Sequence, residues 1–398
     1  MNRPYHKAML RFAAVGMLSS WCLGAAAAET DPAPTVDIEP KSQADKMAEA
    51  KAEDDACFTA LDPVISLSYG SRYTDESETR SDFDEESNAE VEKALGPIDD
   101  FIGELAKYSN RAISRKDERG IVAADCVLDQ ILPWAKADAL SDLQTETAGI
   151  SVPGRLAGIA YAYANALPVA SDDPERRDVI EGWLRSRADD TMEFFETKAP
   201  KRAASNNLRA WAGMAVTRVG LTLDDGKMRD WGAETVRMIV CSANSDGSLP
   251  REMERGRLAL HYHIHALGPL VVTSALLHTP ERDLFAECDN ALPRAVDFML
   301  AALKDPELVE KHADAVQSFS DPKPEVVEGF ELAWALPFLQ FVENDELAEL
   351  VKPFDLLANS KMGGDLSLLW DKTDPDEDAE EVETDNEASN DDGAVAVP

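Results

Sequence analysis

Apolar residues recur at three- and four-residue intervals through most of the chain, and alternating strand-like runs are nearly absent. Helical segments are predicted over Asn88–Ala112, around Cys126–Ala135, and over Pro153–Leu167, with Ser151 as its cap. The pattern continues over Asp173–Thr197, Ser205–Val219, Asp225–Cys241, Glu254–Leu277 and Pro293–Leu303, then Glu325–Phe341 and Asp345–Val351. Such a chain buries its apolar stripes by pairing helices. Helical hairpins repeated through roughly 300 residues therefore predict an all-α toroid or solenoid. The absence of a fixed-period repeat disfavours a solenoid of near-identical units.

The formal charge is −37 over 398 residues. That excludes a general nucleic-acid binder, which needs a basic footprint. If the partner is itself acidic, the few cations must be gathered locally, so their positions matter more than the total. Residues 1–28 read as a secretory signal: Arg3, Lys7 and Arg11, an apolar run Phe12–Leu23, and the small residues Ala26–Ala28. The bulky Trp21 before Cys22 argues against lipidation. No later stretch is apolar enough to insert in a membrane, so a periplasmic or secreted protein is expected. Residues 29–56 read as a flexible leader and 57–370 as the folded domain. Residues 371–398, with twelve acidic residues and one lysine, read as a disordered tail. Beyond the signal stand Cys57, Cys126, Cys241 and Cys288, an even number that permits disulfides in any of three pairings. Their spacing suits no zinc site.

The stretch Leu249–Leu270 carries Arg255, Tyr262 and three histidines, His261, His263 and His265. Within one helix, Arg255 and Tyr262 share a face, while His261 and His263 point elsewhere. A guanidinium and a phenol side by side suit carboxylate binding and proton transfer. Pro269 predicts a kink near His265 or a division of the helix there.

Four separated segments point the same way: Ser71-Arg72-Tyr73 with Arg80-Ser81, Asn206-Asn207-Leu208-Arg209-Ala210-Trp211, Asp246-Gly247-Ser248-Leu249-Pro250 leading to Arg255 and Tyr262-His263, and Gly363-Gly364-Asp365. This ordered set, over about Cys57–Trp370, resembles alginate lyases of polysaccharide lyase family five. The resemblance implies an (α/α) toroid with a deep cleft, cleavage of a uronate polymer by β-elimination, and no metal or other cofactor. It implies that Asn207 and Arg255 neutralise the substrate carboxylate and that Tyr262 is base and acid. It places Arg72 and Tyr73 on a lid loop. It favours a Cys57–Cys126 disulfide, leaving Cys241 with Cys288. The family's Asn-Asn-His pattern is broken here by Leu208, and His265 stands where a tyrosine is usual.

β-Elimination removes the C5 proton of a uronate and expels the oxygen at C4. Neutralising the carboxylate stabilises the developing enediolate. A nearby arginine favours the phenolate of Tyr262. In mannuronate both groups leave from one side, so one tyrosine suffices. In guluronate a second group must act, and Leu208 removes the histidine best suited to it. A mannuronate-type preference is expected, with glucuronan a further possibility. His265, one turn beyond Tyr262, is the first substitute for the missing histidine and Arg209 the second. Trp211 is expected to stack on a sugar ring and His263 to line the substrate site. A catalytically impaired relative that binds a uronate exopolysaccharide is the competing class, and a helical scaffold is a third.

Overall fold

The computed structural model describes residues 57–320 and 326–370. The signal and leader readings and the acidic-tail reading lie outside the described residues. Helices α1 (Glu85–Ser114) and α2 (Glu118–Lys136) open the helical part, with the short strand β1 (Ser66–Leu67) before them. Strand β2 (Asp142–Leu143) pairs in parallel with β1 and leads into α3 (Glu146–Ser151) and α4 (Pro153–Ala166). Then come α5 (Pro174–Thr197), α6 (Asn207–Thr222), α7 (Gly226–Val240) and the single turn α8 (Pro250–Met253). Helices α9 (Ala259–Leu276), α10 (Glu287–Lys304) and α11 (Glu307–Ala313) follow. The described part closes with α12 (Ala335–Leu339), α13 (Asp345–Val351), the hairpin β3 (Ala358–Asn359) with β4 (Gly364–Asp365), and α14 (Ser367–Trp370).

Helices α1, α4, α6 and α9 form an inner row, each against the next. Helices α2, α5, α7 and α10 back them from outside. The chain thus alternates inner and outer helices, the winding of an (α/α) toroid. The reason lies in the side chains. Helix α4 (PGRLAGIAYAYANA) is buried nearly all round, and α6 and α9 are buried on most faces. Helices apolar on all sides belong inside. The outer helices α7 and α10 and the edge helix α2 are amphipathic, with one polar face turned outward.

The helix starts follow local chemistry. Asp84, Asp117, Thr145, Asp173, Asn206, Asp225 and Asn344 each cap a helix by accepting a backbone N–H. Ser151 does not cap α4 as expected. Its hydroxyl bonds Tyr69 Oη at 2.6 Å and the Thr147 carbonyl at 2.6 Å. Helix α9 runs through Pro269 without dividing. The predicted helix over 325–341 is reduced to α12. Upstream of it, Glu331, Leu332 and Ala335 donate to carbonyls three residues back, so this stretch is a run of tight turns. Among the described residues there are two disulfides, Cys57–Cys126 and Cys241–Cys288. Each closes a long loop, which in the chain-entropy view stabilises the fold by about 4 kcal/mol.

The first disulfide also positions the site. It anchors the segment entering the lid to α2, where Gln130 Nε2 donates to the Phe58 carbonyl and Trp134 Nε1 to the Leu61 carbonyl. The β1–β2 pairing and the Thr145 hydroxyl on the Tyr69 carbonyl continue this anchoring to the base of the lid.

Candidate active site

Arg255 is not on the helix that carries Tyr262. After α8 the chain turns at Arg255 and passes through a 3₁₀ turn, Gly256–Leu258, before α9 begins at Ala259. Gly256 has φ +53°, and a Cβ there would press on Thr79 of the lid. Glycine is therefore the residue that fits both the left-handed backbone and the close lid. The shared helix face predicted from seven-residue spacing does not exist. The pairing itself is present by another route: the guanidinium carbon lies 3.5 Å from the centre of the Tyr262 ring. This stacks a cation on an aromatic face.

Residues 71–84, expected to be a lid loop, form a tight hairpin. Tyr73 bridges to Phe83, Thr74 N donates to the Asp82 carbonyl, and Asp84 N donates to the Arg72 carbonyl. Ser77 Oγ accepts from the backbone of Ser81 and Asp82. Arg255 latches the hairpin down, donating from Nε to the Thr79 carbonyl at 3.0 Å and from Nη2 to the Arg80 carbonyl at 2.6 Å. Arg202 adds a bond to the Glu78 carbonyl. The result is contact across 189 residues of chain: the Tyr73 and Tyr262 hydroxyls are hydrogen-bonded.

Burial pushes the Tyr262 phenol well above its ordinary range. Arg255 opposes this, and Tyr73 adds to it. Arg255 does favour the phenolate, as expected, but burial outweighs it. The guanidinium stacks on the ring, and burial wins.

His265 lies beside Tyr262, ring centres 6.1 Å apart, and packs on Trp211 at 5.1 Å. Its side chain is exposed, yet its surroundings hold the imidazole well below its usual range. Desolvation is the largest cause, followed by His261, Lys361, Arg255 and Arg72. Its neutral form is favoured. His261 was expected to face away, but its ring stands 5.0 Å from Tyr262 and 6.4 Å from His265. Trp211 is buried and packs over Gly154. It offers little ring face to a sugar.

Two expected substrate residues lie apart from this group. His263 is fully buried, with Nε2 on the Ala295 carbonyl at 2.9 Å and its ring against Phe298. Burial pushes it down to about 4, so it is a neutral packing group. Arg209 is buried between α6 and its neighbours, paired with Glu196 at 2.6 Å and stacked over Trp231. It cannot replace the missing histidine. Leu208, at the partly exposed start of α6, occupies that position.

Asn207 is fully buried, and both its backbone N–H and its Nδ2 donate to Glu252, at 2.7 and 2.8 Å. The sequence reading missed Glu252, although a carboxylate between Pro250 and Met253 three residues before Arg255 was the available signal. It also missed Lys361, which the Gly363-Gly364 turn seats in the site. Gly364 has φ +97°, and a Cβ there would collide with Asn110 of α1. Lys361 lies 4.0 Å from Asp99 and is pushed down to about 8, chiefly by burial and then by Arg155. Arg72 acts on the same groups. A chain of −37 charge therefore gathers Arg72, Arg155, Arg255 and Lys361 around one place, which focuses the field there. A separate cavity of about 380 Å³ between residues 140–156 and 187–198 has none of these residues in its lining. Among the described residues no cluster of His, Cys, Asp and Glu is placed to hold a metal ion, and no helix is long and apolar enough to cross a membrane.

A helical toroid that sets a tyrosine at the start of an inner helix against an arginine from the preceding turn, amid a local concentration of cations, defines a polysaccharide lyase, a carbon–oxygen lyase. The alginate lyase model matches residues 38–309, and the chain belongs to that family. It is 28% identical over 317 residues to an alginate lyase of Pseudomonas fluorescens strain SBW25, covering 77% of this chain and 82% of that one. It is 26% identical over 314 residues to an alginate lyase of Cobetia marina, covering 77% and 81%. Among solved structures it is similar to alginate lyase A1-III from Sphingomonas species A1, with TM-score 0.66 and 24% identity over 80% of this chain and 87% of that one. A variant of A1-III complexed with a tetrasaccharide matches with TM-score 0.66 and 24% identity, over 80% and 86%.

Proposed function

We propose that this chain cleaves a mannuronate-type uronate polymer by β-elimination, with Tyr262 as both base and acid. The observation that carries this reading is the Tyr262 phenol between the stacked Arg255 and the lid hydroxyl of Tyr73. In the reaction Tyr262, as phenolate, takes the C5 proton. The C4–O bond breaks as the C4–C5 double bond forms, and the same phenol returns the proton to the departing oxygen. Arg255, with Asn207, offsets the carboxylate charge as the enediolate develops. Arg72 and Lys361 bind neighbouring carboxylates. The basic-apolar-small start of the chain and its two disulfides support export to the periplasm or beyond.

One tyrosine on one side of the sugar suits mannuronate, and glucuronan shares its geometry at C4 and C5. Guluronate needs a second base, and here Leu208 replaces the histidine while Arg209 is committed to Glu196. The test follows the ultraviolet absorbance of the unsaturated uronate with polymannuronate, glucuronan and polyguluronate. Polymannuronate or glucuronan should be cleaved at least about tenfold faster than polyguluronate. Faster cleavage of polyguluronate would reject the assignment. One observation favours a second reading, an impaired relative that binds the polymer: Leu208 combined with a neutral His265 leaves fewer charges on the carboxylate. Binding to all three polymers with no new absorbance would select it.

The pH dependence has a definite sign. Because the Tyr262 pKa is raised, the phenol is protonated at neutral pH and the reactive phenolate is a minor form. At saturating polymer, kcat is expected to rise steadily from about pH 6 to about pH 9, by up to tenfold per unit. A kcat that falls over this range would contradict Tyr262 as the base.

A further inference from the structure

Glu252 and Asn207 form a buried pair with one unmet requirement. Glu252 is fully buried, and its two oxygens accept the backbone N–H and the Nδ2 of Asn207. The Oδ1 of Asn207 is buried too and has no hydrogen-bond partner among the described residues. A buried acceptor without a donor is costly, and the amide would be better satisfied turned over, provided Glu252 had a proton to offer. The charged groups acting on Glu252 do not hold it ionised. Arg255 favours the anion but commits Nε and Nη2 to the lid. Glu254 disfavours it and is itself paired with Arg202 and Arg251. From the helices packed on α8, His263 of α9 is turned to Ala295 and His312 of α11 is bonded to Asp246. Burial is the largest influence, and it pushes the Glu252 carboxyl up to about 7.

We propose that Glu252 is a positioning residue that takes up a proton when a substrate carboxylate binds against Asn207, and that this proton turns the Asn207 amide so that its N–H groups face the substrate. The inference rests on the uronate-binding reading above. Two carboxylates flanking one amide in a dry site repel each other, so the arrival of the second favours protonation of the first. The proton comes from solvent. Protonated Glu252 donates its O–H to the orphaned Oδ1, its other oxygen keeps the backbone N–H of Asn207, and Nδ2 is released toward the substrate. In the ionised state the same Nδ2 is held by Glu252, and the substrate would meet a second negative charge behind the amide.

The test uses the full-length Tyr262→Phe variant, which binds without turnover and removes the phenol from the proton count. Binding of a mannuronate tetrasaccharide is measured calorimetrically near pH 8 in buffers of different ionisation enthalpy. Proton uptake is expected. Adding Glu252→Gln, whose amide mimics the protonated acid, should lower the uptake by nearly one proton per site, leaving only what Lys361 takes up. Binding without uptake, or uptake unchanged by Glu252→Gln, overturns the inference and leaves the uronate reading intact. No binding at all overturns both. Wild-type kinetics give an independent check that needs no folded variant. KM should rise up to about tenfold per unit above about pH 7, while kcat does not fall. A flat KM would overturn the inference.

Discussion

Tyr262→Phe should lower kcat on polymannuronate by about a thousandfold or more, with KM changed only a few-fold. General acid–base groups contribute about 10²–10⁴ in rate, and here one hydroxyl takes both roles. The substitution leaves the ring in place. Arg255 still has an aromatic face to stack on, and its bonds to the Thr79 and Arg80 carbonyls do not involve the phenol. Binding should therefore survive while the proton transfer does not. The check is steady-state kinetics with a direct binding measurement beside it. If the variant kept a tenth of the wild-type rate, another group would be the base, and His265 or His261, the imidazoles nearest the ring, would be examined first.

Arg255→Ala should lower kcat/KM by about 10²–10³, the loss typical of one preorganised donor, about 2.7–4 kcal/mol. Two further effects set it apart from a simple loss of charge. The Thr79 and Arg80 carbonyls lose their latch, so amides of the 71–84 hairpin should exchange hydrogen faster. Tyr262 also loses the one neighbour that favours its ionised form over its phenol, so kcat should fall along with kcat/KM. Arg255→Lys separates these roles. A lysine keeps the charge but lacks the planar fork that stacks on the ring and reaches two carbonyls together. It should recover only a small part of the activity and leave the hairpin unlatched. Full recovery with lysine would show that charge alone matters and that the latch is incidental.

The helical architecture was legible because it is local. Helices begin at Asp173 and Asp225, where the predicted ranges start, and the inner helices α4, α6 and α9 reveal themselves by being apolar on most faces. The site was legible only in part. Arg255 and Tyr262 do meet, but through a glycine turn at Gly256 that spacing arithmetic on an assumed continuous helix cannot show. The Tyr73–Tyr262 bond joins residues 189 apart and has no local signature. His263 and Arg209 sit within motifs that looked chemical, yet tertiary packing turns one to the Ala295 carbonyl and the other to Glu196. Glu252 was passed over because a lone glutamate in a charged stretch reads as surface. Only the fold reveals that α8 buries it completely against Asn207.

The most direct test of the account is the mass of the oligosaccharides released from polymannuronate by the wild-type protein. β-Elimination through Tyr262 predicts fragments whose new non-reducing end is lighter by one water than a hydrolysed end, with these fragments absent from the Tyr262→Phe digest. Fragments that carry the full water, or unsaturated ends produced equally well by Tyr262→Phe, would contradict it.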